Sequence, residues 1–301
     1  ECEYRGNTGD QIEGEETMKI CRFNDDRLGL VEGEDVVDVT AALEVIPTTG
    51  WPAPQGDALI ANLDAVCAKA SELAASGERL ALCDVVLKSP VANPTKVIGA
   101  PVNYYAHLDE SQEDEGVNFG REIKTIDHYG LFLKNPTLVG AGDGVDLHFT
   151  DRRNDHEVEV SMIIGKTARN VSYDSALDYV AAYSIGLDVT VRGTEERSLR
   201  KAIDSYSVLG PWLVTADEIA DPDKLDFSIH VGEEERQNSN TDKLIFDCKK
   251  LIEYGSSFYT LYPGDVIMTG TPEGVGPVVP GDTMHCYCEG IGNMDVAVRT
   301  A

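Results

Sequence analysis

Two glutamates, Glu157 and Glu159, lie two positions apart in residues 155–164 (DHEVEVSMII), a segment whose β-branched content is typical of a strand. Because successive side chains of a strand point to opposite faces, both carboxylates leave the same face. A hard divalent cation bound by oxygen ligands relieves the repulsion between such neighbours. The spacing therefore predicts a metal site. The alternative is that both glutamates form the solvent-exposed face of an edge strand, which is a common arrangement.

A third carboxylate, Asp188, stands in the otherwise apolar residues 183–191 (YSIGLDVTV), which are also predicted to form a strand. A buried aspartate is rarely left without a partner. Together, Glu157, Glu159 and Asp188 would supply an all-oxygen ligand set that suits Mg²⁺, with Mn²⁺ or Ca²⁺ as alternatives. Such a set leaves coordination positions open for water and substrate.

The chain that must position these carboxylates is large enough to bury a sizeable core, with 301 residues of which 42% are apolar. Its 53 acidic and 25 basic residues give a formal net charge of −28. This charge repels phosphate backbones and anionic membranes, so we expect no nucleic-acid or membrane partner. An anionic substrate would therefore need a local cationic centre.

Seven cysteines are scattered along the chain without an apolar leader segment, which favours a reducing compartment over a disulfide framework. We therefore expect a cytoplasmic protein. Cys286 and Cys288 flank a tyrosine next to His285, which raises the question of a zinc site. No second pair of Cys or His residues stands at ligand spacing, so we expect both cysteines to lie in the core of a strand.

The composition divides the chain into three segments. Residues 1–17 are polar and acidic and are predicted to form an appended tail. Residues 18–90 are expected to form a small N-terminal α/β domain. A proline-marked stretch at residues 88–95 separates it from residues 91–301, which we expect to form the larger, catalytic domain.

Short strands separated by Gly, Pro and Asp turns dominate the second half of the chain. Because strands and helices do not alternate regularly, the pattern favours an α+β, mainly β fold with a mixed, barrel-like β-roll over a doubly wound sheet. We expect helices over residues 57–76, 175–182 and 245–258, and further strands over residues 97–100, 225–231, 265–268 and 294–298.

Residues 107–130 contain many acidic residues and two helix-breaking glycines, so they are predicted to form a mobile loop with mostly solvated charges. His107 and Glu110 are exceptions, because they directly follow the expected end of a strand. Lys201 follows a polar run and by itself would be a solvated helix cation. Spacing alone assigns no role to these three residues.

Six short motifs follow one another in the chain: NYYAHLDE at residues 103–110, FLK at 132–134, DHEVE at 155–159, DVTVR at 188–192, KAIDSY at 201–206 and TGTPEGVG at 269–276. In this order, over Met18 to Val298, they resemble the motifs of the fumarylacetoacetate hydrolase superfamily. The resemblance implies the same mixed β-roll fold and a homodimer.

The resemblance also implies roles for nine residues. The metal ligands would be the three carboxylates described above, Glu157, Glu159 and Asp188. An acid/base pair on a closing lid and a lysine that faces the metal-bound substrate would be catalytic: His107, Glu110 and Lys201. Residues that contact the substrate would be Arg192, Gln237 and Thr271.

The chain departs from the family pattern near the expected substrate. Leu187, Gly193 and Glu195 stand where the family often has Asn, Asp and Gln, and residues 188–201 form a shorter stretch than usual. For this reason the resemblance does not transfer a particular substrate. Metal binding is less affected by these differences.

The expected substrate is a small anionic oxo acid, because a divalent ion can chelate a 1-carboxylate and a 2-oxo group and stabilise the enolate formed when a neighbouring bond breaks. If His107 activates a water, the reaction is hydrolytic C–C cleavage of a 2,4-dioxo acid of the acylpyruvate or fumarylpyruvate type. The alternative is isomerisation or decarboxylation of an unsaturated 2-oxo dicarboxylate of the 2-hydroxyhepta-2,4-diene-1,7-dioate type in aromatic catabolism. A hypothesis of another class is a non-catalytic protein that binds an oxo acid or a metal.

Overall fold

The computed structural model describes residues 17–301, so the predicted acidic tail lies outside the described residues except for its last position. The described part of the chain forms nineteen strands, six α-helices and six 3₁₀ helices. None of these helices has the length and apolar character needed to cross a membrane. The α+β, mainly β architecture expected from the sequence is confirmed.

The element bounds follow in chain order. The strands are β1 (Lys19–Phe23), β2 (Arg27–Glu32), β3 (Asp35–Asp38), β4 (Arg79–Ala81), β5 (Leu87–Lys88), β6 (Val97–Gly99), β7 (Phe132–Lys134), β8 (Val145–Leu147), β9 (Asn154–His156), β10 (Val158–Ile164), β11 (Val180–Asp188), β12 (Thr190–Val191), β13 (Ser207–Thr215), β14 (Asp226–Val231), β15 (Glu234–Asn240), β16 (Val266–Met268), β17 (Gly276–Pro277), β18 (Thr283–Cys288) and β19 (Gly292–Thr300). The α-helices are α1 (Leu63–Ala74), α2 (Tyr105–Glu113), α3 (Glu115–Asn118), α4 (Ile126–Tyr129), α5 (Arg197–Lys201) and α6 (Cys248–Phe258). The 3₁₀ helices are Thr40–Val45, Ile60–Asn62, Leu82–Asp84, Tyr173–Tyr179, Ala216–Glu218 and Thr241–Lys243.

The largest sheet has eleven strands in the order β4-β3-β2-β1-β13-β11-β10-β16-β6-β7, with β5 beside β1. Two smaller sheets have the orders β12-β9-β17 and β15-β14-β18-β19-β8. Because β1 pairs with β13, the N-terminal strands and the later strands share the largest sheet. The domain boundary near residue 90 stays a prediction.

Strands β10 and β11 lie in the interior of the largest sheet. Every residue of β10 is buried, and so is every residue of β11 except Ala181. Burial on both faces explains why the two segments are almost continuously apolar in sequence. Any carboxylate within or beside them must therefore find its partners inside the protein.

Two predicted helices form with shifted boundaries. Helix α1 lies within the predicted residues 57–76, and a 3₁₀ turn precedes it. The Asp57 carboxylate accepts the Leu59 and Ile60 N–H groups at the start of that turn. Helix α6 begins at Cys248, because the side chain of Asp247 caps it by accepting an N–H of its first turn at 2.7 Å.

The predicted helix over residues 175–182 is wrong. Tyr173–Tyr179 forms a 3₁₀ helix, and β11 begins directly after it at Val180. Val180 pairs with Ile164 of β10, so sheet pairing takes the last residues that the local pattern assigned to a helix.

The prediction of a mobile loop over residues 107–130 is also wrong, because α2, α3 and α4 occupy much of this segment. The Asp114 side chain accepts the Gly116 N–H at 2.8 Å and caps α3. Arg153 in turn donates to Asp114 at 2.8 Å, which ties the segment to the chain just before β9. Asp114, which the sequence pattern predicts to be solvated, therefore caps a helix and forms an ion pair.

Gly99 allows an aromatic side chain to lie close to strand β6. A Cβ atom at this position would stand 2.2 Å from the ring of Phe132, which is the residue opposite in β7. The Phe132 ring in turn lies 5.3 Å from Lys201 Nζ and 5.4 Å from the Arg197 guanidinium carbon. The glycine therefore helps to position an aromatic ring beside two cations.

We predict that Gly99→Ala lowers the free energy of unfolding by about 1–3 kcal/mol, because the added methyl group must displace the Phe132 ring or the backbone. Urea unfolding curves measure the change. The matched control is Gly50→Ala, since a Cβ at Gly50 would have no heavy atom within 4 Å. Equal unfolding midpoints for the two variants would contradict the prediction.

Candidate active site

The structure brings the three predicted carboxylates together. One oxygen from each of Glu157, Glu159 and Asp188 lies within 4.8 Å of the others, and the residues are only 4%, 2% and 1% exposed. Glu157 stands in the break between β9 and β10, and the Asp188 N–H donates to its carbonyl oxygen at 2.9 Å. Because β10 has a paired strand on each side, the alternative of a solvent-exposed edge strand is wrong.

Buried cations contact two of these three carboxylates. Lys201 Nζ donates to Glu157 at 2.7 Å and to Asp188 at 2.6 Å. Lys134 Nζ also donates to Asp188. Arg192 donates to Glu157 at 3.0 Å. The negative charge of Glu157 and Asp188 is therefore matched within the protein.

Glu159 has a different electrostatic environment from Glu157. Burial opposes ionisation of Glu157, but Lys201 and Arg192 outweigh it and lower the pKa of that carboxyl below its usual range. Burial raises the pKa of Glu159 well above its ordinary value, and the neighbouring carboxylates add to the shift. Glu159 accepts the Gly270 N–H at 2.6 Å but has no ion pair with any described cation. When it is ionised, this buried carboxylate requires a positive partner, and a divalent ion fits the all-oxygen donor set.

His107 and Glu110 lie one turn apart on α2. The Nδ1 atom of His107 faces a carboxylate oxygen of Glu110 at 3.3 Å, which orients the imidazole ring. The other carboxylate oxygen of Glu110 accepts the Gly274 N–H at 2.9 Å. This hydrogen bond connects α2 to the loop before β17 and so holds the helix that bears His107 against that loop.

One cavity connects most of the predicted site residues. Seven of them line it: His107, Glu157, Glu159, Asp188, Arg192, Lys201 and Thr271. Glu110 and Gln237 are not among the lining residues. Additional lining side chains come from α4, β7 and α5, namely Tyr129, Phe132, Arg197 and Arg200.

Gln237 supports the site from behind the cavity wall. Its Oε1 atom accepts the Val158 N–H at 3.1 Å, and its Nε2 atom donates to Thr271 Oγ1 at 2.8 Å. Nε2 also donates to the carbonyl oxygen of Pro272 at 2.9 Å. The amide therefore bridges the strand of the glutamates and the loop of Thr271. Its contact with substrate stays a prediction.

Sequence reasoning missed three cations at this site. The motif at residues 132–134 contains Lys134, and a lysine directly after two apolar residues was the available signal. Arg197 and Arg200 lie in the polar run that precedes Lys201. Arg197 lies three residues before Arg200 and four residues before Lys201. This spacing, which was visible in the sequence, places Arg197, Arg200 and Lys201 on one side of a helix.

A buried carboxylate cluster, a histidine with a carboxylate partner and several cavity cations, all on a mixed β fold, define a metal-dependent enzyme for small anions. The family model "Fumarylacetoacetate (FAA) hydrolase C-terminal" matches residues 96–299. The chain belongs to the fumarylacetoacetate hydrolase family.

Similar proteins include two maleylpyruvate hydrolases. The chain is 56% identical to the maleylpyruvate hydrolase of Aquipseudomonas alcaligenes, over 94% of this chain and 100% of that protein. It is 36% identical to the maleylpyruvate hydrolase of Sphingobium sp. SYK-6, solved in complex with manganese(II) and pyruvate, with a TM-score of 0.80 over 94% of this chain and 100% of the other. The 2-hydroxyhepta-2,4-diene-1,7-dioate isomerase of Mycobacterium marinum is 26% identical, with a TM-score of 0.68 over 94% and 99% of the two chains.

We predict that Glu159→Gln stabilises the metal-free protein by about 1–3 kcal/mol, because it removes a buried carboxylate that lacks a cation. The raised pKa means that the folded state keeps a proton on Glu159 that the unfolded chain releases above about pH 4.5. The associated stability of the wild type is therefore lost as pH rises from this value through the raised pKa. The advantage of the variant should grow over the same range, as urea unfolding in EDTA at several pH values would measure.

The same substitution should weaken the binding of Mn²⁺ or Mg²⁺, measured by isothermal titration calorimetry, because one of three oxygen ligands loses its charge. Glu44→Gln is the control, since Glu44 is exposed and has the same change in charge. Unchanged metal affinity in Glu159→Gln would remove Glu159 from the ligand set.

Proposed function

We propose that this protein is a divalent-metal-dependent hydrolase that cleaves a C–C bond in a 2,4-dioxo acid of the maleylpyruvate or fumarylpyruvate type. The observation that carries this proposal is the carboxylate cluster, which shares one cavity with Lys201 and His107. The 56% identity to a maleylpyruvate hydrolase along that protein's whole length supports the same reaction. Pyruvate, which is bound to the manganese-containing relative, is a product of such a cleavage.

The proposed ligands of the ion are Glu157, Glu159 and Asp188. Mg²⁺ is our first candidate because it prefers oxygen ligands and keeps positions for water and substrate, and Mn²⁺ and Ca²⁺ are the alternatives. When bound, the ion would withdraw electrons from the 1-carboxylate and the 2-oxo group of the substrate.

His107 is the proposed general base. Glu110 faces its Nδ1 atom, so the opposite ring nitrogen can take a proton from a water molecule. The water oxygen adds to C4 of the dioxo acid and leaves in the released carboxylic acid. The electron pair of the C3–C4 bond stays with the pyruvate half, whose C3 then takes up a proton. One water is consumed for each bond broken.

Lys201 is proposed to stabilise the negative charge that develops on the pyruvate half or to donate its proton. Its ammonium group is fixed by Glu157, Asp188 and the Thr190 hydroxyl, which it contacts at 2.7, 2.6 and 2.6 Å. A preorganised charge of this kind needs no reorientation during the reaction. Glu157 and Asp188 already have cationic partners, so an added divalent ion would make the cavity attractive to an anionic substrate.

Isomerisation or decarboxylation of an unsaturated 2-oxo dicarboxylate is the second candidate, and the similarity to the M. marinum isomerase favours it. Neither reaction requires attack by water, so product analysis separates them from hydrolysis. The homodimer and the cytoplasmic location stay predictions.

We predict that His107→Ala lowers kcat for maleylpyruvate by about 100-fold or more, because the general base is lost. Binding of Mn²⁺ should remain within about threefold of the wild type, because the imidazole is not among the proposed oxygen ligands. Loss of the dioxo absorbance and identification of the products measure turnover, and isothermal titration calorimetry measures Mn²⁺ binding. His148→Ala is the control, since His148 is exposed.

An equal loss of turnover and metal affinity in His107→Ala would contradict this division of roles. Wild-type turnover should disappear in EDTA and return with excess Mg²⁺ or Mn²⁺. Formation of a rearranged or decarboxylated product without a carboxylic acid fragment would favour the second candidate. Metal binding without turnover of any oxo acid would favour a non-catalytic protein.

A further inference from the structure

Helix α5 presents two arginines to the cavity, and within residues 17–301 no carboxylate forms an ion pair with either of them. Arg197 and Arg200 both line the cavity, and neither forms an ion pair with a carboxylate in the described part of the chain. Nearby Arg152, Arg153 and Arg192 all form such pairs. In a protein with 53 acidic and 25 basic residues, partners for two arginines are abundant, so their absence here needs an explanation.

Aromatic rings hold Arg197 in place. Its guanidinium carbon lies 5.0 Å from the centre of the Tyr129 ring and 5.4 Å from that of Phe132. These contacts orient a cation without using its N–H donors. Arg200 is anchored by a bond from Nε to the Glu195 carbonyl oxygen at 2.9 Å. Both side chains therefore keep N–H donors for a ligand.

The position of Arg197 relative to Lys201 indicates which part of a ligand it would meet. Both cations lie beside the Phe132 ring, but only Lys201 contacts Glu157 and Asp188. A small molecule that places an oxo acid group at the carboxylates and Lys201 can extend within the same cavity to Arg197 and Arg200. The arginines belong to residues 188–201, the stretch in which this chain departs from the family pattern.

We infer that Arg197, assisted by Arg200, binds a second carboxylate at the acyl end of the substrate and thereby selects dicarboxylic over monocarboxylic acylpyruvates. A planar guanidinium can bind a carboxylate through two parallel hydrogen bonds. The role in substrate selection rests on the proposed hydrolase function, whereas the anion-binding role rests on the cavity alone.

A binding experiment tests the role independently of turnover. Protein loaded with Mn²⁺ is titrated in a calorimeter with maleate and with isocrotonate, which has a methyl group in place of one carboxylate. Maleate should bind the wild type at least about 10-fold more tightly than isocrotonate does. Arg197→Gln should lower the affinity for maleate by about 10-fold to 100-fold. The affinity for isocrotonate should change by less than about threefold in the same variant. Equal affinities of maleate for the wild type and Arg197→Gln would overturn the inference.

Kinetics with a matched pair of substrates provide the second readout. Arg197→Gln should lower kcat/KM for maleylpyruvate by about 10-fold to 100-fold and that for acetylpyruvate, which lacks the distal carboxylate, by less than about threefold. Parallel losses for both substrates would show a merely structural role. Arg169→Gln is the control, because Arg169 is exposed and the change in charge is the same.

Two further variants protect the test against a folding defect. Arg197→Lys keeps the charge, and its affinity for maleate should lie between the affinities of the wild type and Arg197→Gln. Arg200→Gln should lower the affinity for maleate by about threefold to 10-fold. If the wild type hydrolyses neither dioxo acid but Arg197→Gln still has a reduced affinity for maleate, the proposed reaction is wrong and the anion-binding role of Arg197 is supported. If hydrolysis proceeds and no arginine variant distinguishes maleate from isocrotonate, the inference fails and the reaction stands.

Discussion

The burial of three carboxylates at adjoining strands is the constraint on which the site depends. Charges removed from water are tolerated only when opposite charges and hydrogen bonds compensate them. Lys201, Lys134 and Arg192 supply that compensation for Glu157 and Asp188, whereas among the described residues Glu159 receives only a backbone N–H. The uncompensated carboxylate is what makes the cluster suited to a divalent ion.

The rest of the site is built by connections between distant segments. Glu110 joins α2 to the Gly274 backbone, and Gln237 joins the Val158 backbone to Thr271. Arg192 bridges Glu157 and Asp155, which it contacts at 3.0 and 2.7 Å. Because these groups are held by several protein partners, the protein itself fixes their orientation, and such preorganisation is the main source of electrostatic catalysis in enzymes.

Much of the site could be predicted because its residues are marked by their type and their local spacing in the sequence. The two-residue spacing of Glu157 and Glu159 and the isolated charge of Asp188 mark the cluster, and the ordered motifs add His107 and Lys201. The missed elements depend on distant partners. Asp114 caps α3 and also pairs with Arg153, 39 residues away, which ties down a segment that the sequence pattern predicts as a solvated loop. Likewise, the strand pairing that begins at Val180 overrides a local helical pattern.

The sequence by itself determined the mainly β architecture, the type of the proposed metal ligands and the family, because strand periodicity, residue chemistry and motif order are local properties. Only the tertiary structure decided that Glu157 has two cationic partners while Glu159 has none among residues 17–301, and that Arg197 and Arg200 line the cavity. The physical reason is that burial and charge pairing depend on which segments meet in space. Residues 134 and 188 are far apart in the chain, yet their side chains share one ion pair.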